Sequence, residues 1–406
     1  MTSAEALSTL DVRPQTLYAN VSRGKIRSKP DARDARRSLY HREDVLRMAR
    51  RANGRRKVEI VAAQTMAWGD PVLPSAVSTV VDGRLCYRGL DAVDLARTGS
   101  FEEVASLLWE APADVFAQAA AARATPCAAI SHGDNALARG LVAMARRGGV
   151  DLPTLGRPLD ELRVEAAAVH AELVQAALGP GAPKGPLLAA RLARAWARPA
   201  AEDPLRRALI LLADHELNAS TFATRVAVST GASLAAGVLA GLSALSGPLH
   251  GGSYAPLRAL LGDAAHRGVP AALAPHDADP STLPGFRHPL YPDGDLRATA
   301  LIAACPLPAL HAELAAQVEA SHGERPNVDF ALVALADGLG LPQDAPFVVF
   351  MLARCAGWLA HALEQAQAQR LIRPRARYVG MPSRPPEPNL PSGKPGLPNS
   401  GSGLKT

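Results

Sequence analysis

DAPFVVFMLARCAGWLAHALEQAQAQR, residues 344–370, is the longest of a series of Ala/Leu-rich segments and reads as helix. Alanine and leucine are among the strongest helix formers, and small side chains let helices pack closely. The same composition recurs upstream between Gly/Pro breaks, in SFEEVASLLWE (100–110), PLDELRVEAAAVHAELVQAAL (158–178), PLLAARLARAWA (186–197) and PLRRALILLADHEL (204–217). Aromatic residues make up only 4% of the 406 residues, so Ala, Leu and Val must build the core. These features predict a mainly α body over residues 58–380. Short strand-like pieces are expected only near its start, in KVEIVAAQ (57–64) and SAVSTVVDGRLCYRG (75–89).

Hydrophobic residues at 48% and charged residues at 20% are the composition of a globular protein. The four cysteines, Cys86, Cys127, Cys305 and Cys355, form no C-x-x-C pair and have no zinc-site spacing. Neither a metal site nor a disulfide framework is expected, and free thiols suit a reducing cytoplasm. The N-terminal MTSAEALSTLDVRPQ lacks the layout of a signal peptide. Val226–Leu257 carries no formal charge, yet it is rich in Gly, Ser, Thr and Pro. A membrane span needs about 20 strongly apolar residues, so buried helices are expected here and no membrane contact.

Charge divides the chain. Residues 1–57 hold 15 Lys+Arg against 6 Asp+Glu, a net of +9, while the whole chain carries only +6. Within this first unit Ser3 is placed to cap a short helix facing inward through Ala6 and Leu7. A second helix follows, with Leu17 and Val21 on one face. A basic hairpin comes next, then a closing helix with Val45, Leu46, Met48 and Ala49. TLYANVSRGKIRS and RRSLYHREDVLRM resemble the winged helix-turn-helix domain of MerR-type regulators and phage excisionases. Such a domain reads the major groove with its second helix and holds phosphates with Arg and Lys. DNA binding is one implied role; docking or assembly is the plainer one. Residues 381–406, MPSRPPEPNLPSGKPGLPNSGSGLKT, are too rich in Pro, Gly and Ser to form a core and are expected to be disordered.

The body carries a set of words in fixed order: DGRLCYRG (82–89), FEEV (101–104), DHELNASTF (214–222), GPLHGG (247–252), GFRHPLYPDGDLRA (285–298), PNVDF (326–330), ARCAGWLAHALEQ (353–365) and RLIRPRARYVG (370–380). Together they resemble the citrate synthase family over about 320 residues. The resemblance implies large and small helical domains, the small one spanning roughly 255–350, and a homodimer with shared active sites.

It also implies roles. His250 of GPLHGG is the donor that stabilises the enol or enolate of an acyl-CoA. Asp329 of PNVDF is the base that removes the α-proton; taken alone, it could equally cap the helix that follows. His288 polarises the carbonyl of an oxo acid. His215 and Asn218 contact that acid, though the same pair could simply cap the next helix. Arg297, Arg354 and Arg373 hold its carboxylates, the last reaching in from the partner subunit. The chemistry needs these types: a thioester methyl is a poor carbon acid and requires a base and an oxyanion donor, and carboxylates are best gripped by the planar guanidinium fork. Two positions depart from the family pattern. Arg287 stands where a glycine is usual before His288, and Pro292 where bacterial members have a basic residue that can reach CoA phosphates.

The implied reaction is condensation of acetyl-CoA with oxaloacetate to citrate and CoA, a tricarboxylic acid cycle step, with no cofactor beyond the acyl-CoA substrate. Propionyl-CoA, giving 2-methylcitrate, is the nearest alternative. A DNA-binding regulator whose enzyme-like body senses a metabolite is a rival of another class. His41, His132, His170, His276 and His322 lie outside the motif positions and are read as structural or surface residues.

Overall fold

The computed structural model describes residues 1–48 apart from 11, 13, 23–24, 32–33 and 47; residues 73–121; residues 135–376 apart from 253 and 306; and residue 380. KVEIVAAQ, the C-terminal tail 381–406, Cys127 and His132 lie outside the described residues.

The body opens with a three-stranded antiparallel ribbon, Ser78–Val81, Arg84–Tyr87 and Leu90–Asp91. Asp82 and Gly83 turn its first hairpin, both at positive φ, as the twist of a two-residue hairpin demands. Tyr87 is fully buried, and its hydroxyl donates to the Ile210 carbonyl at 2.9 Å. The ribbon therefore fastens onto the end of the helix Glu202–Leu212, immediately before Asp214 and His215.

Among the described residues, the regular elements after the ribbon are helices, apart from an isolated bridge between Phe286 and Pro326. Phe101–Trp109 begins with a complete capping box, Ser100 and Glu103 each holding the other's backbone N–H. The uncharged run 226–257 is broken into separate helices, ending Ala219–Ser229, spanning Leu234–Leu245 and starting Tyr254–Arg267. The one described helix long and apolar enough to cross a membrane is a different one, Ala345–Ala368, and 94% of its apolar window is buried within the fold. It lies so close to the end of Glu202–Leu212 that Gly357 N–H donates to the Ala213 carbonyl at 3.0 Å. A Cβ at position 357 would be driven into that carbonyl and the Asp214 carboxylate.

Two apolar cores stand in the body. The larger gathers Phe101, Leu108, Leu173, Leu209, Leu242, Leu352 and Trp358 from helices on both sides of Ala345–Ala368. The second is built by Leu257, Leu261, Leu273, Phe286, Leu314 and Val318. Helix Val328–Gly338 belongs to both: Val328, Ala331, Leu332 and Leu335 face the first core, and Phe330, Val333 and Ala334 face the second. A helix apolar on nearly all sides has to be sandwiched in this way.

The N-terminal unit has its own small core of Ala6, Leu10, Leu17, Ile26, Tyr40 and Val45. Helices Ser3–Leu10 and Pro14–Ser22 precede an antiparallel pair, Ser28–Asp31 with Asp34–Tyr40, and residues 42–46 are helical. Thr2, not Ser3, caps the first helix: Thr2 and Glu5 exchange side-chain to backbone hydrogen bonds at 2.8 and 3.3 Å. Arg27 grips the buried Asp44 through Nε and Nη2, at 2.7 and 3.0 Å, tying hairpin to closing helix.

Candidate active site

The segment 214–220 leaves the helix Glu202–Leu212 and enters Ala219–Ser229. Asn218 caps the second helix, its Oδ1 accepting from Thr221 N–H at 3.1 Å. His215 on this turn is buried, and its Nε2 shares a 2.8 Å hydrogen bond with the Tyr291 hydroxyl. The rings of His215 and His288 meet edge to face at 5.1 Å, and His288 lies 5.0 Å from Tyr291. Arg297 places its guanidinium over the Tyr291 ring at 4.7 Å. One cluster therefore brings together His215, His288 and Arg297, with Tyr291 at its centre.

Arg297 is held by Asp295, the cap of helix Leu296–Ala304, which accepts from its Nε and Nη2 at 2.9 and 2.8 Å. Burial disfavours the guanidinium charge, but the Asp295 carboxylate holds it above its ordinary range. Arg354 is also almost fully buried. Its Nε donates to the Leu212 carbonyl at 3.0 Å, at the electronegative end of helix Glu202–Leu212. Burial lowers its pKa, opposed by the nearby Asp214 carboxylate. That carboxylate in turn accepts from the Ser78 hydroxyl and sits 3.3 Å from His361 Nε2.

The histidines are neutral near pH 7. Burial, followed by the charges of Arg297 and Arg354, pushes His215 well below its usual value. Burial and Arg297 bring His288 down to about 4. Burial and Arg354 do the same for His250, again to about 4. The tautomer of His288 follows from its neighbour: Leu290 N–H donates to Nδ1 at 3.2 Å, so a neutral ring carries its proton on Nε2.

His250 shares Phe350 with Arg354. Its ring meets Phe350 edge-on at 6.2 Å, and Arg354 covers the same Phe350 at 4.8 Å. Its Nε2 lies 2.8 Å from Ser220 Oγ, which also accepts from Trp358 Nε1 at 3.0 Å. Gly251 follows because the turn presses it onto Leu245, where a Cβ would strike that residue's carbonyl. Gly251, Tyr254, Asp329, Leu332, Phe347 and Phe350 line one cleft. Asp329 enters it from the first turn of Val328–Gly338. It is not the cap of that helix: Asn327 is, its Oδ1 accepting from Asp329 and Phe330 N–H at 3.0 and 3.3 Å.

Arg373 is exposed on the extended segment after Ala345–Ala368 and is not part of the cluster within one chain. Arg287 occupies left-handed backbone at φ 47°, a conformation that glycine adopts freely. Tyr291, Asp295, Ser220 and Asp214 were not singled out from the sequence, although all four lie inside the quoted words. Their only sequence signal is proximity to residues of more obvious chemistry.

Comparison with known proteins shows the family. The family model "Citrate synthase, C-terminal domain" matches residues 66–375, starting past the basic N-terminal unit. The chain is 32% identical over 346 residues to "Citrate synthase 2" of Bacillus subtilis, covering 75% of this chain and 93% of that one. It is 28% identical over 362 residues to the "2-methylcitrate synthase" of Mycobacterium tuberculosis, covering 76% of this chain and 88% of that one. The fold matches the crystal structure of citrate synthase from Thermotoga maritima with a TM-score of 0.64 at 24% identity, over 79% of this chain and 96% of that one. This chain belongs to the citrate synthase family and is an enzyme of citrate-synthase type.

Proposed function

We propose that the enzyme condenses acetyl-CoA with oxaloacetate and hydrolyses the resulting thioester to citrate and CoA. The observation that carries this reading is the grouping of two buried arginines with neutral His215 and His288, joined through Phe350 to His250 and to the cleft lined by Asp329. Arginines suit the oxo-acid carboxylates. His288, protonated on Nε2, donates to the oxo carbonyl as it accepts the new carbon–carbon bond. His250, hydrogen-bonded to Ser220 Oγ through Nε2, is the donor that holds the thioester oxygen while Asp329 takes the α-proton. The tetrahedral carbon and the hydrolysis of the thioester then need only water and these same donors.

Propionyl-CoA is the second reading, supported by the likeness to a 2-methylcitrate synthase. One methylene is worth only about 1–3 kcal/mol in a pocket. The deciding experiment is CoA thiol release by the purified protein with oxaloacetate, acetyl-CoA against propionyl-CoA. Release that depends on oxaloacetate and is abolished by His250→Ala establishes the condensation, and the faster thioester names it. No release from a folded protein that binds oxaloacetate removes this reading in favour of a metabolite sensor.

Arg373 is assigned to the active site of a partner subunit in a homodimer, supported by its exposure at the end of the fold. A monomer that turns over at full rate would remove that assignment. The basic unit 1–57 is assigned to DNA as a winged helix-turn-helix, supported by its net charge of +9 and its two-helix-plus-hairpin order. Its binding should weaken steeply with salt, and deletion of 1–57 should spare turnover.

A further inference from the structure

We propose that Tyr291 is a positioning residue that locks His215 in its Nδ1–H form and so determines which nitrogen meets the oxo acid. The proposal rests on the reading of this cluster as an oxo-acid site.

Tyr291 is 2% exposed, and its hydroxyl lies 2.8 Å from His215 Nε2. A neutral imidazole has one donor and one acceptor nitrogen. Between a phenol and a neutral imidazole, the phenol is the better donor and the ring nitrogen the better acceptor. The proton in this bond therefore sits on the Tyr291 oxygen, Nε2 accepts, and His215 carries its own proton on Nδ1. The charged groups that act on His215 are Arg297 and Arg354, both cations, with His288 and His250 the other titratable neighbours. None of them favours an imidazolium, so the ring stays neutral and its tautomer matters. Burial also pushes the Tyr291 hydroxyl up to about 12, so it keeps its proton.

The arrangement contrasts with His288, which a backbone N–H, that of Leu290, fixes in the opposite tautomer. Two neighbouring imidazoles, 5.1 Å apart, are thus held as Nδ1–H and Nε2–H donors by two different devices. Only one device is a side chain. The Tyr291 ring also stacks under Arg297 and beside His288, contacts that a phenylalanine would keep.

The test is Tyr291→Phe, read in two ways. In long-range proton–nitrogen NMR of 15N-histidine-labelled protein, assigned with His215→Asn, wild-type His215 should show its proton on Nδ1, and the Phe variant should lose that state or mix it with Nε2–H. In steady-state assays the variant should raise KM for oxaloacetate about tenfold while KM for the acyl-CoA stays within twofold, a split that a general loosening of the fold would not produce. A wild-type proton on Nε2 overturns the proposal, as does a variant with unchanged tautomer and unchanged KM. The NMR result stands whether or not the wild type releases CoA thiol, so failure of this inference is distinguishable from failure of the proposed reaction.

Discussion

Asp295 and Arg297 form a doubly hydrogen-bonded ion pair in which neither side chain is more than 3% exposed. The same Asp295 Oδ2 that holds Arg297 Nη2 accepts from Val328 N–H at 3.0 Å. One carboxylate therefore orients Arg297, the arginine proposed for the oxo acid, and the first turn of the helix that carries Asp329. Removing one partner of a buried pair leaves the other charge uncompensated, at about 3–5 kcal/mol. Asp295→Ala should lower stability by that amount in urea unfolding and weaken oxaloacetate binding. A variant of wild-type stability would show that the pair carries no such weight.

Asp329→Asn keeps the size of the side chain and removes the base. Turnover should fall by about 10²–10⁴-fold, the usual contribution of a positioned base. Oxaloacetate affinity by calorimetry should stay within a few-fold, because the arginines and His215 are untouched. Unimpaired turnover would disqualify Asp329 as the base.

His170 is a buried neutral histidine away from the site, packed by Phe101, Trp109 and Phe116, with Nε2 at 3.0 Å from the Leu352 carbonyl. Burial brings its pKa to about 4 from an ordinary 6.5. Its folded pKa is depressed, and the unfolded chain binds the proton more readily. The stability is therefore present above about pH 6.5 and is lost as pH falls toward 4. The loss reaches about 3 kcal/mol near pH 4 for this residue alone. Urea unfolding of wild type and His170→Gln between pH 7.5 and 4.5 should converge as pH falls; a constant gap would contradict the assignment.

Arg287→Gly tests the position where left-handed backbone meets a side chain. Relief of the left-handed strain, about 1–2 kcal/mol, is offset in part by the unfolded-state entropy that glycine adds. Thermal stability should therefore be equal or slightly higher. If Arg287 replaces the basic residue missing at Pro292, KM for the acyl-CoA should rise about tenfold, consistent with one lost charge-assisted contact. An unchanged KM would assign Arg287 only its weak pairing with Glu324 at 3.8 Å.

The helical body was legible because Ala/Leu runs between Gly/Pro breaks admit few other solutions, and the strands of the ribbon lie in or next to 75–89, where strand was expected. Residues 226–257, expected to be buried helices, break at Thr230–Ser233, and 344–370 runs as one helix whose Arg354 and His361 only the fold shows to be buried. At the site, His215, His288, Arg297 and Arg354 do converge. Tyr291 and Asp295 escaped notice because their importance lies in what they hold, and periodicity or residue type does not disclose a partner. Ser3 and Asp329 were both offered as helix caps, yet capping fell to Thr2 and Asn327. Cap geometry depends on backbone angles that a one-residue shift alters completely.

Helix Val328–Gly338 is buried from Phe330 to Ala336, and one core grips each flank. Its tilt is therefore a compromise between two packings, and Asp329 rides on its end like the tip of a balance beam. Trimming Val333 or Leu332 by a methyl or two would unload one pan, re-aiming a carboxylate several residues away without touching any polar atom. The aim of the Asp329 carboxylate is in that sense a property of hydrocarbon volume, shared out across two interiors.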